Sequence, residues 1–311
     1  MGSDEATRRS LGFRIPAVGR HLLSGRFSRS GLAFDVLDSG ATDGPVVVLL
    51  HGFPQSASEW ANVVEILTAH GLRCLVPTQR GYSVGARPRG RWPYRVSALT
   101  DDLGALVDAS GAERVHLVGH DWGAVVAWAF ANEHPHRVAT LSALSVPHPA
   151  AFLGALVTSR QFFASWYMYF FQLPWLPEKY FLGRDGTETR RFERWIVGGG
   201  QTPERAARDA TALATTATFT TALNWYRAIA FADPRRTRTR TTVPALFVWS
   251  DGDHYITRAA ADRCAAWVDG PYRFEVFDGV SHWIPEEAPE RISALLLEHF
   301  TTPVRNEAAK G

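Results

Sequence analysis

Cysteine is scarce in this chain: Cys74 and Cys264 are the only two in 311 residues, and both fall in apolar predicted elements. A disulfide framework or a cysteine-built metal site is thereby excluded, and reduced, buried thiols are expected. A dominant charge is missing as well. Against 33 Lys and Arg stand 31 Asp and Glu, a net charge of +2 that gives no general case for a nucleic-acid partner. The one basic cluster, Arg235, Arg236, Arg238 and Arg240, sits beside a predicted loop and reads as a solvated connector. There is also no Gly/Ser or Pro-rich linker, no internal repeat and no long apolar run. The most apolar window, residues 162–181, contains Gln172, Pro174, Pro177, Glu178 and Lys179, which argues against a membrane span. Adhesion of that aromatic window to a membrane surface is the weaker alternative. Residues 1–10 are polar, and Arg14, Arg20 and Arg26 interrupt the next stretch of chain, so no signal-peptide core is seen. Ala6, where Ser or Thr is needed, defeats a myristoylation motif at Gly2. A soluble, cytoplasmic protein is expected.

What is present is an ordered series of elements. Residues 33–37 alternate as a strand, 46–50 form a continuous apolar run of the kind buried in a parallel sheet, and 72–76 give a third strand. A helical pattern over 97–109 precedes a strand at 114–118, a helix at 124–134 and a strand at 138–146. From residue 147 to 235 the strand signal disappears and the chain becomes aromatic and helical. Strands at 243–249 and 272–277 then alternate with helices at 258–268 and 287–300, before a polar tail after Thr301 that should fray. The expected fold is α/β: a mostly parallel, doubly wound sheet whose core is in two parts, 1–146 and 236–311. Residues 147–235 form an inserted helical cap, or lid, over the carboxyl edge of the sheet.

A further absence carries the most chemistry. Gly119-His120-Asp121-Trp122-Gly123 lies between a strand and a helix and has the form of a nucleophile elbow, yet no serine stands at its centre. Serine suits attack on an acyl carbon. At a saturated carbon it would leave an ether that water does not cleave, whereas a carboxylate leaves an alkyl ester with a carbonyl open to water. Asp121 therefore predicts displacement at saturated carbon followed by ester hydrolysis. In sheets of this kind the chain order is nucleophile, acid, histidine. Asp251 and Asp253 follow the strand that ends at Trp249, and either could orient an imidazole. His282 follows the last strand and is the expected base; its ordinary pKa of about 6.5 would leave it mostly neutral and able to take a proton from water. The backbone N–H groups of Trp122 and of Phe53, in His51-Gly52-Phe53-Pro54, are the expected oxyanion hole. His51 itself reads as structural. His134 and His136 are spaced too closely for the usual helical ligand pair and mark a helix end, so no metal or other cofactor is implied.

From about Leu32 to Phe300, through His51-Gly52-Phe53-Pro54, the Asp121 elbow, Asp253 and Gly279-Val280-Ser281-His282-Trp283, the chain resembles the soluble epoxide hydrolases of the α/β-hydrolase superfamily. That resemblance implies Asp121 as nucleophile, His282 as base and Asp253, rather than Asp251, as the orienting acid. It also implies two cap tyrosines that donate to the epoxide oxygen, Tyr167 and Tyr226, with Tyr169 an alternative to Tyr167. An opening epoxide leaves as an alkoxide that needs an acid, and a tyrosine with a pKa near 10 keeps its proton at neutral pH. The implied partners are a small apolar epoxide and water. Haloalkane dehalogenases share the core motifs, and a haloalkane or haloacid dehalogenase is the nearest rival, with Asp121 and His282 in the same roles and Trp122 as a halide donor; a non-catalytic ligand-binding protein of the same fold and a serine-type esterase are weaker ones. One departure from the family pattern is Ser83 directly after Tyr82, which predicts a differently shaped loop over residues 79–88.

Overall fold

The computed structural model describes residues 23–302. The leader and myristoylation readings, and the tail from residue 303 onward, lie outside the described residues. Strands β1 (Leu23–Arg29), β2 (Leu32–Gly40), β3 (Val46–Leu50), β4 (Arg73–Pro77), β5 (Val115–His120), β6 (Val138–Leu144), β7 (Ala245–Ser250) and β8 (Tyr272–Phe277) form one sheet in the order β1-β2-β4-β3-β5-β6-β7-β8. From β4 to β8 the pairs are parallel, while β1 and β2 add an antiparallel edge.

The parallel strands are apolar because both faces of the sheet are covered. In β3 the side chains of Val46, Val48 and Leu50 enter one core with Leu99 and Leu103 of α2 (Val96–Ser110) and Val126 of α3 (Trp122–Glu133). Val47 and Leu49 enter the other, with Val63 and Leu67 of α1 (Ala61–Ala69) and with Ile292 and Leu296 of the last helix. All five are buried.

Between β6 and β7 no strand occurs. The chain runs through α4 (Pro149–Thr158), α5 (Gln161–Ala164), α6 (Trp166–Phe171), α7 (Leu176–Leu182), α8 (Arg190–Gly198), α9 (Pro203–Ala212), α10 (Thr216–Arg227) and α11 (Pro234–Thr237). Hydrogen bonds fasten this segment to core groups that follow the carboxyl ends of β4, β7 and β8: Trp225 Nε1 to the Arg80 carbonyl (2.9 Å), Gln161 Nε2 to the Tyr255 carbonyl (2.7 Å), and Gly199 carbonyl from Trp283 Nε1 (3.1 Å). The core then closes with α12 (Arg258–Ala261), α13 (Ile284–Glu287) and α14 (Pro289–Phe300).

Two elements differ from the sequence expectation. Strand β1 has no counterpart in the predicted series; it pairs with β2 through a two-residue loop, Ser30-Gly31, in which both φ angles are positive (51° and 78°), the geometry that matches strand twist in a tight hairpin. The helix expected over 258–268 stops at Ala261, and residues 264–267 tighten into a 3-10 turn. The Trp267 carbonyl at the end of that turn accepts from the Thr241 N–H (3.0 Å). The basic cluster lies on and after α11, exposed, with Arg236 paired to Glu133 and Arg240 to Asp269. Cys74 and Cys264 are free and buried, and burial pushes their thiols up to about 12 and about 11.

Candidate active site

Strand pairing brings the predicted residues together. Leu50 of β3 pairs with Gly119 of β5, so the loop His51–Phe53 and the elbow leave the sheet side by side. Asp121 occupies the elbow with φ 50° and ψ −118°, a strained backbone for a residue with a Cβ. Close packing holds it there: a Cβ on Gly123 would come within 2.1 Å of the Leu50 carbonyl oxygen, and one on Gly52 within 2.5 Å of the Asp121 Cβ. The Phe53 N–H donates to Asp121 Oδ1 at 2.8 Å. Trp122 is the first residue of α3, so its N–H has no partner within the helix.

On the far side of β6, strands β7 and β8 end together at Ser250 and Phe277. Asp253 and His282 follow them, and His282 Nδ1 lies 2.7 Å from Asp253 Oδ2 while its Nε2 faces Asp121 Oδ2 at 3.5 Å. Asp253 Oδ1 accepts the N–H groups of Tyr255 (2.7 Å) and Ile256 (2.9 Å). Asp251, the alternative acid, instead accepts the Gly279 N–H at 2.8 Å and shapes the base loop.

Burial of His282 opposes its charge, but Asp253 and Asp121 outweigh that cost and push its pKa up to about 10. Burial likewise opposes the charge of Asp121, yet its pairing with His282 and the Phe53 N–H hold the carboxyl below its usual value. Both carboxylates thus favour the charged form of His282, where its ordinary pKa alone predicts a mostly neutral imidazole.

Tyr167 on α6 and Tyr226 on α10 are buried, with ring centroids 5.9 Å apart, and neither hydroxyl donates to a protein group among the described residues. They line one cavity with Asp121, His282, Phe53 and Trp195. Burial and the Asp121 charge push both phenols well above their usual value, so both keep their protons. Tyr169 is 41% exposed and packs on Phe162, away from the cavity. Ser83 turns to β2, its hydroxyl donating to Asp35 Oδ2 (3.0 Å), and the loop 79–88 contributes nothing to the cavity wall. His51 is structural, with Nδ1 on the Gly52 carbonyl (3.0 Å) and Nε2 accepting the Gln79 N–H (3.1 Å); burial lowers its pKa to about 4. His134 ends α3.

Four supports had no sequence signature. Glu59 Oε2 and His120 Nδ1 are 3.0 Å apart with both side chains fully buried, and burial pushes Glu59 well up and His120 down to about 4. His120 Nε2–H donates to the His282 carbonyl at 2.9 Å, which ties the pair to the loop that carries His282. Ser145 Oγ donates to the same carbonyl (2.8 Å). Tyr255 also lines the cavity, edge-on to His282 at 5.0 Å, with its buried hydroxyl unpartnered. Finally, Gly199 and Gly200 press on the loops that carry Asp253 and His282. A Cβ on Gly199 would come within 2.0 Å of the Tyr255 hydroxyl oxygen, and one on Gly200 within 2.6 Å of the Ser281 Cβ.

Residues 45–289 match the family model described as the alpha/beta hydrolase fold. The chain is 33% identical to Epoxide hydrolase A of Mycobacterium tuberculosis, covering 88% of this chain and 95% of that protein. It is 32% identical to the AB hydrolase superfamily protein YfhM of Bacillus subtilis, over 87% of this chain and 95% of that one. The crystal structure of Epoxide Hydrolase A from Mycobacterium thermoresistibile superposes with a TM-score of 0.76 at 28% identity, covering 91% of this chain and 98% of the other.

Proposed function

Because the chain belongs to the epoxide hydrolases of the α/β-hydrolase fold, we propose that it converts an apolar epoxide to a vicinal diol through an alkyl ester on Asp121. The observation that carries this reading is the pairing of a carboxylate with two proton-bearing tyrosines across one aromatic-lined cavity. A halide leaves as a stable anion and needs no such acid; an epoxide oxygen does.

Asp121 is ionised at neutral pH and attacks an epoxide carbon, forming a C–O bond as the ring C–O bond breaks. The oxygen released takes a proton from Tyr167 or Tyr226, and the tyrosinate is reprotonated by the His282 imidazolium. Esterification has by then removed the charge of Asp121, one of the two groups that held the proton on His282. The neutral imidazole, oriented by Asp253, takes a proton from water, whose oxygen adds to the ester carbonyl. The Phe53 and Trp122 N–H groups hold the oxyanion; losing one such donor typically costs about 10²–10³-fold. Collapse expels the second alcohol oxygen, which takes the remaining water proton, and restores the Asp121 carboxylate beside imidazolium. Residues 147–235 act in this scheme as the cap that supplies the tyrosines and keeps bulk water away.

The experiment is a mass measurement on enzyme exposed to aryl, terminal alkyl and fatty-acyl epoxides. His282→Gln should accumulate one epoxide mass on Asp121, and Asp121→Asn should not. Neither adduct nor diol from any of these epoxides would reject the reading.

A further inference from the structure

The outer surface of helices α4–α7 carries large apolar side chains in water. Val157 is 80% exposed, Phe163 72%, Trp175 63% and Trp166 52%, with Tyr169 and Tyr180 among their neighbours. Phe162 packs on both Phe163 and Tyr169, Phe170 packs on Trp166 and Tyr180, and the two groups adjoin along α6, where Trp166, Tyr169 and Phe170 follow at helical spacing. Scattered exposed apolar residues need no explanation, but a contiguous aromatic surface of this kind marks a partner.

Charge indicates which partner. The only charged side chains in residues 149–181 are Arg160, Glu178 and Lys179. Glu178 is buried on Arg227 (2.8 Å), which leaves Arg160 and Lys179 as the charges the patch presents. Lys179 Nζ sits 4.8 Å from the centre of the Trp175 ring, and Arg191 at the rim lies 5.7 Å from that of Tyr180. Within residues 149–181 no exposed acid balances these two cations. Exposed Trp and Tyr ringed by Lys and Arg match a lipid headgroup layer, where rings settle at the apolar boundary and cations meet phosphates.

We propose that this face docks the protein on the surface of an anionic lipid bilayer. The same helix, α6, turns Tyr167 and Phe171 inward and Trp166 and Tyr169 outward, so the docked surface is the back of the cavity wall. On the epoxide-hydrolase reading, this assigns the substrate class as epoxides that dissolve in membranes.

The test is co-sedimentation of the full chain with vesicles of phosphatidylglycerol and phosphatidylcholine, against phosphatidylcholine alone. Binding should favour the anionic vesicles and weaken with salt. It should fall about fivefold for each of Arg160→Gln and Lys179→Gln, and to background in Phe163→Ser/Trp175→Ser. Equal or absent binding to the two vesicle types overturns the proposal, as does a dimer in solution that the Phe163→Ser/Trp175→Ser variant converts to monomer. Turnover of a water-soluble epoxide without vesicles, which these surface variants should leave unchanged, reports separately on the reaction.

Discussion

At residue 121 a carboxylate in place of a hydroxyl changes the electrostatics of its neighbours as well as the chemistry. With Asp253 it gives His282 two anionic partners and raises its pKa to about 10. A pKa raised on folding contributes stability that is fully present below the unfolded value near 6.5 and is lost as pH rises through the folded value. Thermal melts should therefore show the wild type losing stability between about pH 6.5 and 10, with a flatter profile in His282→Gln over the same window. The two tyrosines are tested at the same scale. Each of Tyr167→Phe and Tyr226→Phe should slow ester formation, and the double variant should lose about 10²–10⁴-fold in single-turnover rate. Retention of full epoxide turnover in the double variant would remove these residues from the chemistry. The choice between Tyr167 and Tyr169 could not be read from their shared aromatic run, because helical facing alone separates a buried ring from one that is 41% exposed.

Among the elements, the elbow was legible because its requirement is local: strand, tight turn and helix in succession, with glycines where β3 leaves no room for a Cβ. The segment 198–200 was not legible, since its constraint comes from Tyr255 and Ser281, more than 50 residues away along the chain. Gly199→Ala should displace Tyr255 and, through it, the ring of His282. We expect kcat to fall by about 10²-fold with a shifted pH–rate profile, the scale of loss that a misplacement near 1 Å produces. An unchanged pH profile at reduced stability would make Gly199 a packing residue only. Strand β1 was missed for the opposite reason. Its residues are mixed in polarity, and it is held by its hairpin and by the stacking of Phe27 on Phe34 (4.8 Å) rather than by a pattern of its own.

Across the whole molecule, one apolar cluster runs from Phe34 and Leu50 in the sheet to Phe171, Phe192 and Phe219 in the helical insertion. Calorimetry should accordingly show a single unfolding transition; two resolved transitions would mean that the insertion melts independently. Glu286 of α13 adds a polar tie, accepting from Gln55, Gln201 and Arg208 at 2.7 Å each. Glu286→Ala leaves the buried amides of Gln55 and Gln201 without their acceptor, while Arg208 keeps Asp209, and should cost about 1–3 kcal/mol in urea denaturation, still in one transition. Residue order alone dictated the alternation of strands and helices, the carboxylate at the elbow, and an acid and a histidine after the last two core strands. Those depend on near neighbours in sequence and on side-chain chemistry that no fold alters. Only the tertiary structure decided how Asp253 and Asp121 face the two nitrogens of one imidazole, that Glu59 and His120 meet beside the His282 carbonyl, and that two carboxylates favour the charge of His282. Those outcomes depend on burial and on distances between groups far apart in the chain, and the field at a titrating atom exists only once the chain has folded around it.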